Sequence, residues 1–299
     1  MGKKKQQLSC TALAKIGILA IIFFLIILII ISFYVFYEST HPDKVISQET
    51  PLKYGYKYID IEFYNADNIK LKGWFIPAKD ITTNKAIICL HGYPFDKGDI
   101  LNQTLFLSKD YNLLLFDFRY FGLSEGKYTT IGLKEQNDVL GAVKYLQSNG
   151  YDKIGVLGFS MGGSTALMAA EKNKDIKAVV TDSAFANLDI MFRKEKFDEI
   201  PFKNLFLFTT RLISKLLVGL NPKDVSPMDS VKNYDTPILI IHSESDDYIS
   251  VDNAYLISNN ARNPELWIIK NKNAKHGLEY NAVKEEYESR VLEFFKKRV

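Results

Sequence analysis

Beyond residue 80, short runs of uninterrupted apolar residues recur at 86–90, 113–118, 154–157, 178–181, 237–241 and 266–269. A strand covered by helices on both faces has no polar side to alternate with, so each run predicts a buried strand of a parallel sheet. Stretches of helical pattern separate most of them, at 99–108, 133–147, 164–172, 252–261 and 282–296. Ahead of these, residues 56–64 alternate apolar and polar side chains and 69–76 do so less regularly, which predicts an antiparallel hairpin turning at Asn65-Ala66-Asp67-Asn68. The expected fold class is α/β, a mostly parallel eight-stranded sheet flanked by helices. One stretch breaks the rhythm. Residues 186–235 are too long for a plain connection and mix phenylalanine and leucine with basic residues, so they predict a helical cap insertion.

The N-terminus has a different pattern. Residues 16–37 form an uncharged run rich in Ile, Leu and Phe, and about 20 apolar residues suffice to cross a bilayer as one helix. A cleaved signal peptide has an apolar region of only about 7–15 residues. Here the small-x-small pattern Ala12-Leu13-Ala14 precedes the apolar run and none follows it. Residues 16–37 are therefore expected to be an uncleaved transmembrane anchor, with Phe33, Tyr34, Phe36 and Tyr37 as an interfacial belt. Lys3, Lys4, Lys5 and Lys15 flank its near end, so residues 1–15 are expected in the cytosol and the rest outside it, in a single-pass topology. Residues 38–54 read as a linker and 55–299 as the folded domain. The formal charge of +3 is too small and dispersed to predict a nucleic-acid partner. Cys10 and Cys89 would lie on opposite sides of the membrane and cannot pair.

The chemistry sits where predicted strands end. Gly158-Phe159-Ser160-Met161-Gly162-Gly163 follows one apolar run and opens a helical stretch, the strand–turn–helix setting of a nucleophile elbow. The chain has four histidines. His91 and His242 close two other runs and are expected to shape loops, while His41 falls in the linker. His276 follows the last run, and Asp246 lies between Ser160 and His276, so the order is Ser…Asp…His. Asp182 and Asp247 compete with Asp246 for the role of acid. No histidine pair has the spacing of metal ligands, so no metal site is expected.

Together with Asp117-Phe118-Arg119, Ser226-Pro227 and His276-Gly277, these residues make the chain from about residue 56 onward resemble the α/β-hydrolase superfamily. Within it, the serine-hydrolase branch of prolyl-aminopeptidase-like and monoglyceride-lipase-like enzymes, with its membrane-anchored relatives, is most similar. Ser243, Ser250 and Tyr120 depart from the family pattern, which has Gly, Pro and Gly at those places. The resemblance implies cofactor-free hydrolysis of an ester, thioester or amide. Ser160 would be the nucleophile, His276 the base and Asp246 its orienting acid, with the Met161 and Tyr93 backbone N–H groups as the oxyanion hole. The expected substrate is a small-molecule or lipid-like carboxylic ester, with the cap phenylalanines Phe202, Phe206 and Phe208 as candidates to accept an acyl chain. Two alternatives remain. One is an aminopeptidase-like enzyme holding a substrate amine through Glu195, Asp198 or Glu199, and the other is a catalytically idle binding module.

Overall fold

A computed structural model describes residues 10–79, 81–193 and 201–299. Lys3, Lys4, Lys5, Glu195, Asp198 and Glu199 lie outside the described residues. The apolar runs form β3 (Lys85–Leu90), β4 (Asn112–Phe116), β5 (Lys153–Phe159), β6 (Ile176–Asp182), β7 (Ile238–Ser243) and β8 (Pro264–Ile269). The alternating stretches form the hairpin β1 (Ile59–Tyr64) and β2 (Lys70–Ile76). One sheet results, in the order β1-β2-β4-β3-β5-β6-β7-β8. Among the described residues, only β1 with β2 and β2 with β4 pair antiparallel. The hairpin turns where expected: Asn65 Oδ1 accepts the N–H groups of Asp67 and Ile69, and Asn68 takes the left-handed conformation.

Period-two alternation along the buried strands feeds two cores. Ile88, Leu90, Leu114, Val156 and Val179 face one side, packed under α2 (Gln136–Ser148), α3 (Met161–Lys172) and α7 (Asp252–Asn260). Ile87, Cys89, Leu113, Leu157 and Val180 face the other, covered by α9 (Lys284–Lys296), by Tyr280 from the short α8 (Glu279–Ala282) and by a 3₁₀ turn at Leu105–Lys109. Burial pushes the Cys89 thiol up to about 12, so it packs as a small apolar group. Residues 99–108 depart from the expected helix. They fold as successive turns ending in the 3₁₀ element, with Ile100, Leu101, Leu105 and Leu107 buried at spacings that mimic a helix face.

The cap comprises the single turn α4 (Leu188–Met191), α5 (Lys203–Val218) and α6 (Pro227–Ser230). The N-terminal run is one helix of 31 residues, α1 (Cys10–Thr40), longer at both ends than the apolar pattern. Its C-terminal half packs along α5. The Phe24 and Phe202 rings meet edge to face at 5.4 Å, Leu28 clusters with Phe206 and Leu207, and the Ser32 and Thr209 hydroxyls share a 2.6 Å hydrogen bond. The residues after α1 follow the domain surface. Thr129 donates its N–H to the Thr40 carbonyl, the Tyr120 hydroxyl donates to Pro42, and Ser47 N–H donates to Asp96.

Candidate active site

Ser160 sits between β5 and α3 with φ 52° and ψ −117°, in the left-handed half of backbone space where an L residue is strained. The turn holds it there because the flanking glycines allow very close approach. A Cβ on Gly158 would lie 2.4 Å from the Gly162 carbonyl carbon, and one on Gly162 would lie 2.5 Å from Leu90 O. Ser160 N–H also donates to the Asp182 carbonyl at 2.8 Å, pinning the turn to the end of β6.

His276 and Asp246 meet this serine from loops after β8 and β7. His276 Nε2 lies 3.1 Å from Ser160 Oγ, and His276 Nδ1 lies 2.8 Å from Asp246 Oδ2. The Asp246 Oδ1 atom accepts the N–H groups of Tyr248 and Ile249 at 2.9 and 2.8 Å. Burial raises the Asp246 carboxyl, but the polar hydrogens of His242, His276 and Ile249 turned toward it outweigh that and hold it well below the usual carboxylate range. A carboxylate there requires the proton on His276 Nδ1, which leaves Nε2 free to accept from Ser160.

The competing acids are engaged elsewhere. Asp247 is exposed beside Lys275 at 3.1 Å. Asp182 Oδ2 accepts from the Tyr287 hydroxyl at 3.0 Å, and its Oδ1 lies 3.2 Å from Ser183 Oγ. That hydroxyl is also 2.8 Å from Glu279 Oε1, so one proton serves two buried carboxyls. Burial, together with negative charge nearby, raises both Asp182 and Glu279. The folded protein then holds protons that the unfolded chain has released, so stability falls as pH rises from the ordinary carboxylate range toward the raised values. The loss across that window amounts to several degrees of melting temperature in a domain of this size. Thermal unfolding at pH 5 and pH 8 checks this: Glu279→Gln should flatten the decline, and an unchanged slope would show that the pair does not titrate in this range.

His91 and His242 act on loops. Buried His91 donates Nδ1–H to the Gly92 carbonyl at 2.8 Å and accepts Phe118 N–H at Nε2 at 3.0 Å, and burial lowers its pKa. The His242 Nε2–H donates to the Ile249 carbonyl at 2.9 Å and lies 3.4 Å from Asp246 Oδ2, so the ring buttresses the Asp246 loop. Asp117 clamps the Lys97 and Leu123 N–H groups, and Arg119 pairs with Asp138. Atoms of Asp246, His276 and Glu279 lie within 4.8 Å of one another, a spacing a metal ion would accept. Asp246 and His276 are hydrogen-bonded to each other, whereas Glu279 Oε1 accepts from Ser183.

A cavity of about 330 Å³ opens over Ser160. Tyr93 and Met161 line it, the latter as the first residue of α3, where helix N–H groups lack intrahelical acceptors. Its apolar wall comes from Ile131, Phe185, Met191, Phe192 and Ile249. Phe202, Phe206 and Phe208 are not among its lining residues, contrary to expectation. Phe206 is buried against α1, while Phe202 and Phe208 are exposed. Periodicity identifies a helix's apolar face but not the element that covers it. Sequence reasoning also missed Ser39, which reaches the cavity from the last turn of α1, and the side chains of Tyr248 and Phe192. Only aromaticity near the acid and at the cap's start pointed to the last two.

Residues 123–299 match the prolyl oligopeptidase family, and residues 39–199 match the X-Pro dipeptidyl-peptidase family. The uncharacterized protein YqkD of Bacillus subtilis is 31% identical over 237 residues, covering 75% of this chain and 74% of that protein. An uncharacterized membrane protein of Saccharomyces cerevisiae is 24% identical over 144 residues, 47% of this chain and 50% of its own. An esterase of Pyrococcus furiosus superposes with a TM-score of 0.70 at 31% identity, covering 86% of this chain and 99% of that one. A Penicillium α/β hydrolase, at 20% identity and a TM-score of 0.63 over 81% of this chain and 98% of that one, shares the fold.

Proposed function

The chain belongs to the α/β-hydrolase superfamily and its prolyl oligopeptidase family, and on that premise we propose that it cleaves a carboxylic ester through an acyl-enzyme on Ser160. The observation that carries this reading is the Ser160–His276–Asp246 relay, at 3.1 and 2.8 Å, at the foot of an apolar cavity. Ser160 Oγ attacks the ester carbonyl carbon while its proton passes to His276 Nε2. The oxygen that becomes negative is met by the Met161 N–H at the start of α3 and by the Tyr93 N–H. Collapse breaks the bond to the alcohol, which leaves with the proton held on His276. Water then attacks the acyl-enzyme by the same route and frees the acid. Asp246 holds the imidazole in the required tautomer and stabilises its charged form. We take α1 as a single-pass membrane anchor, on the length and apolarity of residues Thr11–Thr40.

The family match supports an aminopeptidase-like alternative. An aminopeptidase needs a carboxylate for the substrate's ammonium, and among the described residues the cavity lining has none. Turnover of p-nitrophenyl esters from acetate to decanoate, set against aminoacyl anilides, separates the two. We expect esters to be preferred. Phe192→Ala should lower kcat/KM for the longer esters about tenfold, a loss of about 1.4 kcal/mol of apolar burial, and leave acetate nearly unchanged. Faster cleavage of the anilides would replace the esterase reading with the peptidase one.

A further inference from the structure

Three observations meet at the seam between α1 and the cap. First, α5 runs beside α1 in the same direction, from Phe202 against Phe24 to Thr209 against Ser32. Second, the face of α5 turned away from the protein is apolar: Leu205, Phe208, Leu212 and Leu216 recur every three or four residues and are exposed, Leu216 at 75%. Third, a small apolar cavity bounded by Val35, Phe36 and Leu207 shares Ser39, Ile131 and Phe192 with the cavity over Ser160.

Depth along α1 decides what covers this stripe. A helix rises about 1.5 Å per residue, so a hydrocarbon core of about 30 Å takes about 20 residues. With the span at residues 16–37, Phe24, where α5 begins, lies about 12 Å past its start, and the far end lies at Tyr37, beyond Ser32. Any later placement takes α5 deeper. A membrane that α1 crosses therefore reaches α5 as well. The cap helix suits that position: apolar outside, with Lys215 near its far end able to extend toward headgroups and Arg211 neutralised by Asp189.

We propose that the outer stripe of α5 is a lipid-contacting face, running from the acyl region toward the headgroups of the leaflet at the Thr40 end of α1. The occupant is the acyl region of the bilayer. The two cavities that share Ser39, Ile131 and Phe192 then lie between that leaflet and Ser160, and the ester substrate is one whose acyl chain resides in the membrane. This rests on reading α1 as an anchor, and the test separates the two. Full-length protein is reconstituted into phosphatidylcholine–phosphatidylglycerol vesicles with brominated acyl chains, which quench tryptophan fluorescence on contact. The native Trp74 and Trp267, both buried in the domain, supply the baseline. I22W reports on the span and L212W on the stripe, each replacing an exposed side chain. Quenching of both beyond the baseline is expected. Quenching of I22W alone overturns the lipid-contacting stripe while keeping the anchor. Quenching of neither overturns the anchor and the stripe together.

Discussion

Ser160→Ala is expected to lower kcat about 10⁶-fold, the scale of loss when the nucleophile of such a relay is removed. No other hydroxyl is positioned to replace it, since among the described residues Ser160 Oγ is the hydroxyl within hydrogen-bond reach of His276 Nε2. The fold should survive, because the Ser160 N–H to Asp182 carbonyl bond belongs to the backbone. The strained φ of 52° offers an internal control. Alanine keeps the Cβ that makes this conformation costly, whereas glycine removes it, so Ser160→Gly should be equally inactive yet more stable than Ser160→Ala by about 1 kcal/mol. Labelling with a fluorophosphonate probe and thermal unfolding of the three proteins check both halves. A folded Ser160→Ala protein that still turns over esters within about a hundredfold of wild type would move the nucleophile elsewhere.

The second large effect belongs to Asp246. Asp246→Asn should cost about 10⁴ in kcat, for a reason that can be followed atom by atom. Oδ1 accepts two backbone N–H groups, from Tyr248 and Ile249, so the asparagine must keep its oxygen there. Its NH₂ then faces His276 Nδ1. Two donors cannot share that 2.8 Å contact, and the imidazole moves its proton to Nε2, where it can no longer accept from Ser160. Asp247→Asn loses only a surface contact with Lys275, and Asp182→Asn keeps an acceptor for Tyr287, so both should stay within about tenfold of wild type. Near-normal kcat in Asp246→Asn with collapse in either of the others would reassign the acid.

Strand ends and the elbow were legible because they rest on local chemistry. A buried parallel strand must be apolar throughout, and the close packing at Gly158 and Gly162 leaves no room for a side chain. The placement of Ser160, Asp246 and His276 after the ends of β5, β7 and β8 was readable for the same cause, since parallel strands bring their C-terminal ends to one edge. What the pattern could not convey was which surfaces face each other. Residues 99–108 carry apolar residues at helical spacing, yet side-chain and backbone bonds around Asp96 and Gly98 fold the start of that segment into turns. The cap phenylalanines look like pocket residues until α1 is laid against them. Glu279 showed no signal at all, because a lone acid at the start of a short helix looks solvated until Asp182 and Ser183 are found beside it.

The last turn of α1 bears on how this enzyme should be handled at the bench. Trimming the chain at residue 41 would remove Ser39 from the cavity over Ser160 and the Thr40 carbonyl that holds Thr129. It would also uncover Phe206 and Leu207, now buried against Leu28. Such a fragment would keep the Ser160 relay while offering a wider, stickier mouth. Its substrate profile and its tendency to self-associate would be those of the trimmed protein, not of the full-length one.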